Sequence, residues 1–463
     1  MNLGMLKLYK LFLILLLSIN LFGSSKSMDF DLIKKGVQDD NTLLIVGGIQ
    51  GDEPGGFVAA SLIATHYTIT KGSVWVVPNL NFYSIIKRSR GPNGDMNRKF
   101  AALDKNDPEY ELIQRIKGYI KAPEVQTVLN LHDGSGFYRE TFIDKYHNPR
   151  RWGQCTVIDQ EYLEHLDTYP NLYDIATKVV NHLNKNLLKE EDYFRIKNTK
   201  TKFEKTYEQT EMAKTLTYFA ITHGKAAFGH ETSKSLSVEN RVYYKLLALE
   251  EHMRVMGIEF TRSFEMNPKS IKNIIDNDIF ITFYDDKIKL PLSQIRRIIR
   301  YFPVKKDGTL EYTPSSPLLT ILKNKNVYTI HYGNRELAKI KPDFLDMLNT
   351  PQGIKLKIDG EDFEVPFGSI IKVKNDFYIY PTGTLRVNVI GYINKKQKNE
   401  AGLIINLNEI LKRYSVDKNG KIYRIEFYDN KKFIGMIMVD FGKSSKNGIS
   451  YNNLKLSKKE IKS

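Results

Sequence analysis

The chain has 463 residues, is 41% hydrophobic, carries a formal net charge of +16 and contains one cysteine, Cys155. A lone cysteine excludes an intrachain disulfide, so stability must come from apolar cores, and a chain this long divides into two or three domains. The basic excess is diffuse and comes with no nucleic-acid-binding module. It reads as a solvated surface whose only polyanionic partners would be a cell wall or a membrane surface.

In chain order, Lys7 and Lys10 precede an unbroken apolar run, Leu11 to Leu17, and the small residues Gly23, Ser24 and Ser25 follow. This predicts a cleaved signal peptide over residues 1–27, too short and wrongly flanked for a spanning helix, and therefore export to the periplasm. No second stretch of 18 or more apolar residues occurs, so the remainder should be soluble.

Residues 28–262 alternate strand-like and helix-like segments. Thr42 to Val46 is apolar, Glu53 to His66 reads as a helix, and Ser73 to Val77 is a strand stopped by Pro78. Asp107-Pro108 opens a helix with Ile113, Ile116 and Ile120 at helical spacing, and Val125 to Leu131 is a strand. Helices are expected over Tyr173 to Leu188, Glu211 to His223 and Val238 to Met256, with a short strand from Ala226 to His230. Such alternation implies an α/β domain with a mixed sheet flanked by helices.

After residue 263 short strands dominate: Ile279 to Tyr284, Ile288 to Leu290, Val327 to His331 and Ile354 to Ile358. The pattern continues at Phe377 to Tyr380, Leu385 to Ile390, Ile422 to Phe427 and Phe433 to Val439. Asp307-Gly308, Asp359-Gly360 and Asn419-Gly420 are turn signals between them. Two β modules are expected, 263–352 and 353–463, with a boundary near Asn349 to Gly353 and a Lys/Ser/Asn-rich tail from Lys443 that should fray.

Chemistry concentrates at a few strand ends. Gln50 and Glu53 sit three apart at a strand-to-helix junction, with Pro54 in the first turn, so both can face one point. His132 ends a second apolar run and is followed by the open loop Asp133-Gly134-Ser135-Gly136. Two oxygen donors, one nitrogen donor and a free fourth position describe a catalytic zinc site. Gln50 is the weak member, because an amide oxygen is a neutral and poorer ligand than imidazole. Glu231 ends a short strand, where a carboxylate near a metal and its water can serve as general base and then acid. His230 shares its setting. Arg90, Asn97 and Arg98 lie on one loop, and could hold a carboxylate and polarise a carbonyl. Residues 139–172, with Arg150, Arg151 and Trp152, follow the His132 loop and should border the cleft.

The ordered set Gln50-x-x-Glu53, Pro78-Asn79-Leu80-Asn81, Arg90, Asn97-Arg98, His132 and Glu231 resembles the zinc carboxypeptidase family of carboxypeptidase A-like fold over about residues 40–260. The resemblance implies Glu53 and His132 as zinc ligands, Asn97 and Arg98 as carboxylate binders, Arg90 as oxyanion stabiliser and Glu231 as general base; Gln50 stands in the remaining metal-ligand position, where that family has histidine. No residue matches that family's substrate-capping tyrosine. With glutamine in the first ligand position and β modules behind, the chain looks similar to the cell-shape peptidoglycan carboxypeptidases of helical Gram-negative bacteria. That implies a barrel-like second domain and an immunoglobulin-like third. It also implies muropeptide substrates, cut between D-glutamate and meso-diaminopimelate; the β domains could contact the wall, another shape protein or the first domain, which the sequence leaves open. Two other readings are a zinc deacylase of N-acylated amino acids and an inactive wall-binding scaffold.

Overall fold

The structure is a computed structural model and describes residues 28–201, 206–348, 353–383, 385–393, 398–442 and 459–461. The expected signal peptide, nearly all of the 349–353 boundary and most of the tail lie outside the described residues.

A seven-stranded mixed sheet organises the first half. Its strand order is Ile33–Gly36, Ser73–Val77, Thr42–Val46, Val125–Gly134, Ala226–Ser233, Cys155–Ile158 and Arg195–Asn198. Ser73–Val77, Thr42–Val46, Val125–Gly134 and Ala226–Ser233 are parallel neighbours in that order. Their apolar runs follow from burial, since Leu43, Leu44, Ile45, Val46, Val128 and Leu129 are all solvent-free. Helix Val238–Val255 packs between Pro54–His66 and Leu172–Asn184, and all three pack on the sheet. Parallel strands carry their C-terminal ends to one edge, which is where an open α/β sheet presents a crevice.

Several boundaries differ from the periodicity reading, and the differences matter for the site. The strand read as ending at His230 runs on to Ser233, because Glu231, Thr232 and Ser233 pair with His132, Asp133 and Gly134. The single helix expected over 211–223 is two, Tyr207–Met212 and Leu216–Ile221, with Thr215 capping the second through the Tyr218 amide. Cys155–Ile158 is an additional strand, antiparallel to Ala226–Ser233.

Alternation along Ala226–Ser233 sends His230 to the face opposite the cleft, where its Nε2 meets His252 Nε2 at 2.8 Å beside Thr156, Phe228 and the Lys245 ammonium. Both rings are buried. Burial pushes the His252 imidazole down to about 3 and lowers His230 as well, the latter helped by His252 and Lys245. Bases with lowered folded pKa values bind fewer protons folded than unfolded. Their contribution to stability is complete above the ordinary value of 6.5 and is lost as pH falls towards about 3. Over that window the slope of unfolding free energy against pH should fall by about one proton, ~1.4 kcal/mol per pH unit, in His252→Gln. Equal slopes for the two proteins in pH-resolved denaturant unfolding would contradict this account.

The second half holds two pairs of four-stranded sheets. In the first pair, Ile288–Pro291, Phe280–Phe283, Leu310–Pro314 and Lys459–Ile461 face Ile298–Lys305, Arg335–Leu345, Val327–Tyr332 and Leu319–Asn324. Phe283 packs edge-on against Phe302 between them. Lys459–Ile461 belongs to the stretch expected to fray, yet it pairs with Leu310–Tyr312. The second pair joins Glu361–Pro366, Gly353–Ile358, Asp376–Ile379 and Ile404–Asn406 to a sheet of Ile370–Lys372, Lys432–Asp440, Ile422–Asp429 and Arg386–Val389. It encloses its own apolar core around Phe377, Ile425 and Ile437. Among the described residues no helix is long and apolar enough to cross a membrane.

Candidate active site

Three chain segments meet at the carboxyl edge of the first sheet. The loop after Thr42–Val46 doubles back tightly at Gly51, where an added Cβ would lie 2.0 Å from the Ser84 backbone. Only glycine permits that approach. The Gly51 amide donates to Ser89 O and to Ser84 Oγ, each at 2.9 Å, which fixes Gln50 and Glu53 at the head of the helix Pro54–His66. At Gly55 a Cβ would come within 2.4 Å of Asp133 Oδ1. There the Gly55 amide donates to Asp133 Oδ2 at 2.8 Å, so the helix N-terminus is joined to the residue after His132.

Glu53 Oε2 lies 2.9 Å from His132 Nδ1 and accepts the Asp133 amide at 3.1 Å. Both side chains are nearly solvent-free. Burial works to lower the His132 pKa, but the hydrogen bond and charge of Glu53 hold it above its ordinary value. That proton must leave before a cation can take its place.

Gln50 is buried, and its Nε2 donates to Asp95 Oδ1 at 2.7 Å. A carboxylate only accepts, so the amide nitrogen is committed to Asp95 and the amide oxygen is the end left for a ligand. Among the described residues no cluster of three His, Cys, Asp or Glu side chains is placed to hold a metal. A three-donor site here therefore needs Gln50. One amide oxygen, one carboxylate and one imidazole, each braced by a neighbour, fit a divalent cation.

Asp95 does more than hold Gln50. It accepts from Arg90 Nε at 3.0 Å, pairs with Arg90 Nη2 at 2.9 Å and accepts the Asn97 amide at 3.0 Å. Burial works to raise its pKa, but the Gln50 hydrogen bond and the Arg90 charge keep the carboxylate below its ordinary range. One carboxylate thus fixes a metal-capable amide, a guanidinium and the start of the Asn97-Arg98 turn. Asn97 is largely committed inward. Its Oδ1 accepts the Leu216 amide at 3.1 Å, and its Nδ2 is 3.4 Å from His132 Nε2. Its Nδ2 is the donor end left to meet a substrate. Arg98 is half-buried, with its Nε 3.4 Å from Glu211.

Glu231 sits opposite His132 in the strand register, with part of its surface open to the cleft. Among the described residues its carboxylate makes no hydrogen bond. Burial lifts it to about 7, with the Glu53 carboxylate adding to the rise and the His132 charge opposing it. Behind the strands, the solvent-free Lys245 donates to the backbone oxygens of His132 and His230 and lies 3.3 Å from Asp133 Oδ1. Arg241 holds the other Asp133 oxygen at 2.7 Å.

One cleft is lined by all seven residues singled out from the sequence: Gln50, Glu53, Arg90, Asn97, Arg98, His132 and Glu231. Trp152 and Lys234 join them. Arg151 does not; its guanidinium is held by Lys145 O and, at 3.5 Å, by the Oγ of Ser135 at the border of the cleft. Asp95, Lys234 and Lys245 carry no motif signal. Asp95 stands two residues before Asn97, and only the loop geometry reveals its role.

A family model described as a carboxypeptidase controlling helical cell shape, catalytic part, matches residues 8–276. One described as the C-terminal domain of a metallo-carboxypeptidase matches residues 347–442. No curated protein matches the chain. Among solved structures, the apo form of the cell shape determinant protein Csd4 from Helicobacter pylori is 40% identical. It covers 89% of this chain and 100% of its own, with a TM-score of 0.78. Its tripeptide-bound form gives the same figures. The mDAP-bound form, described as a D,L-carboxypeptidase, is 40% identical over 88% of this chain and 99% of its own, with a TM-score of 0.78.

Proposed function

The chain belongs to the family of carboxypeptidases controlling helical cell shape, and from that membership we propose that it is a D,L-carboxypeptidase of peptidoglycan tripeptide stems. It cuts the bond between D-glutamate and meso-diaminopimelate and leaves a dipeptide. The observation that carries this reading is the convergence of Gln50, Glu53, His132, Arg90, Asn97, Arg98 and Glu231 on one cleft. It is supported by a relative whose structures hold a tripeptide and mDAP.

In this proposal Gln50, Glu53 and His132 hold zinc. When bound, zinc supplies Lewis acidity, making water nucleophilic near neutral pH and polarising the scissile carbonyl. The protein's own groups do the rest. Arg98 and the Asn97 amide nitrogen take a carboxylate of diaminopimelate, which sets the register of the cut. Arg90, aimed by Asp95, donates to the carbonyl oxygen as charge develops there. Glu231 removes a proton from the attacking water as the new C–O bond forms. It then returns that proton to the leaving amine as the C–N bond breaks, so water is added across the amide with no net proton change. Burial, which raises this carboxyl from its ordinary value, favours both halves of that task.

We assign residues 1–27 as the signal that delivers the enzyme to the periplasm, where its substrate lies, and the division 28–262, 263–352 and 353–463 as its mature domains, with the strand Lys459–Ile461 returning to the sheet of the second. Wall or shape-protein contacts through the two β modules belong to the same proposal. The test offers zinc-loaded protein a murein tripeptide and, separately, an N-acylated amino acid, and identifies products by mass. Release of diaminopimelate from the tripeptide alone is expected. Hydrolysis of the N-acyl substrate alone would replace this reading with a deacylase, and turnover of neither by zinc-containing protein with a scaffold.

A further inference from the structure

Three cations line the cleft, and the proposed reaction uses two of them, Arg90 and Arg98. The third, Lys234, follows the strand Ala226–Ser233 and is anchored by its backbone amide to Gly134 O at 2.8 Å. Its Nζ lies 2.6 Å from Asp52 Oδ2 and 3.6 Å from Glu53 Oε1, with a third of the side chain exposed. Arg90 Nη1 is 3.8 Å from the same Glu53 oxygen. Lys234 and Arg90 therefore flank the metal-capable carboxylate, while Arg98 meets the cleft beside Asn97 and Glu211.

Resting on the function proposed above, we propose that Lys234 binds the free α-carboxylate of the substrate's D-glutamate and so selects γ-linked glutamyl stems. When glutamate is linked through its side chain, the α-carboxylate carbon stands four carbon–carbon bonds from the scissile carbon, a reach of about 5 Å. The scissile carbon must lie next to the metal-capable Glu53, and Lys234 Nζ is 3.6 Å from Glu53. An ordinary α-linked peptide carries no anion at that point, so the ammonium would be left facing a neutral group.

Other features of the site agree. Arg90 is tied twice to Asp95 and Arg98 is paired with Glu211, whereas the lysine is a single charge on a flexible stem, suited to swinging between Asp52 and a ligand. A cation on Glu53 would share that carboxylate's charge, weakening one of the two anions now facing Lys234.

The experiment compares two tripeptides, one with the free D-glutamate α-carboxylate and one with that group as the carboxamide. The readouts are kcat/KM and calorimetric binding to Glu231→Gln protein. Wild type should prefer the acid by roughly ten- to a hundredfold, the value of one charge-assisted hydrogen bond. In Lys234→Met, or Lys234→Gln where the first variant folds poorly, that ratio should fall to about two or less. A wild-type ratio near one overturns the proposal. An unchanged ratio in the variants overturns it too, including where both substrates lose turnover together, because the lysine would then only support Glu53. Wild-type failure to cleave either tripeptide would instead remove the proposed function.

Discussion

Glu231→Gln is expected to lower kcat on the murein tripeptide by about 10²- to 10⁴-fold while metal content and tripeptide binding persist. The expectation comes from how the carboxylate is placed. The register that sets Glu231 opposite His132 aims it into the cleft, and no hydrogen bond among the described residues diverts it. Glutamine keeps the volume and removes only the ability to take and return a proton. Neither Lys245 nor Asp133 can substitute: each is solvent-free and committed to partners behind the strands. Stopped-flow turnover together with calorimetric binding checks the prediction. A variant with unchanged kcat would show that another group moves the proton.

Asp95→Asn should weaken metal binding by about 10- to 100-fold, the usual cost of losing a partner that orients a ligand. A carboxylate forces the Gln50 amide to present nitrogen to Asp95 and oxygen to the metal position. Asparagine offers both a donor and an acceptor, so the Gln50 amide is no longer held one way round. The same change releases Arg90, which has two contacts to Asp95. Activity at saturating metal should therefore fall further than metal occupancy explains. Competition against a chelator gives the affinity, and kcat at saturating zinc gives the second effect. Wild-type values for both would mean that Gln50 is oriented by something else. In the background Gln50→His the Asp95 effect on affinity should persist, since a carboxylate also orients an imidazole.

How much of this was legible in the sequence varied by residue. Glu53, His132 and Glu231 stand at or near strand ends, where an apolar run stops and a polar group follows, so pattern drew attention to them, and the ordered resemblance supplied their roles. Gln50 drew notice by its spacing from Glu53 and by standing where a zinc-binding histidine would be expected. Asp95 was invisible because its importance lies in three hydrogen bonds to residues that sequence places 45, 5 and 2 positions away. Lys234 looked like one basic residue among many until folding placed it beside Glu53. The strand Cys155–Ile158 is only four residues long and flanked by polar turns, too short for its period to show. The extension of Ala226–Ser233 past His230 depends on pairing with Val125–Gly134, a partner that local propensity cannot report.

The central claim is that a site built on Gln50, Glu53 and His132 performs metal-dependent cleavage of the tripeptide stem. The most direct measurement is diaminopimelate release by protein stripped of metal, before and after stoichiometric zinc is restored. The account predicts no release from stripped protein, full release with about one zinc per chain, and loss of that rescue in Gln50→Ala. Release by stripped protein, or full rescue in Gln50→Ala, would contradict it.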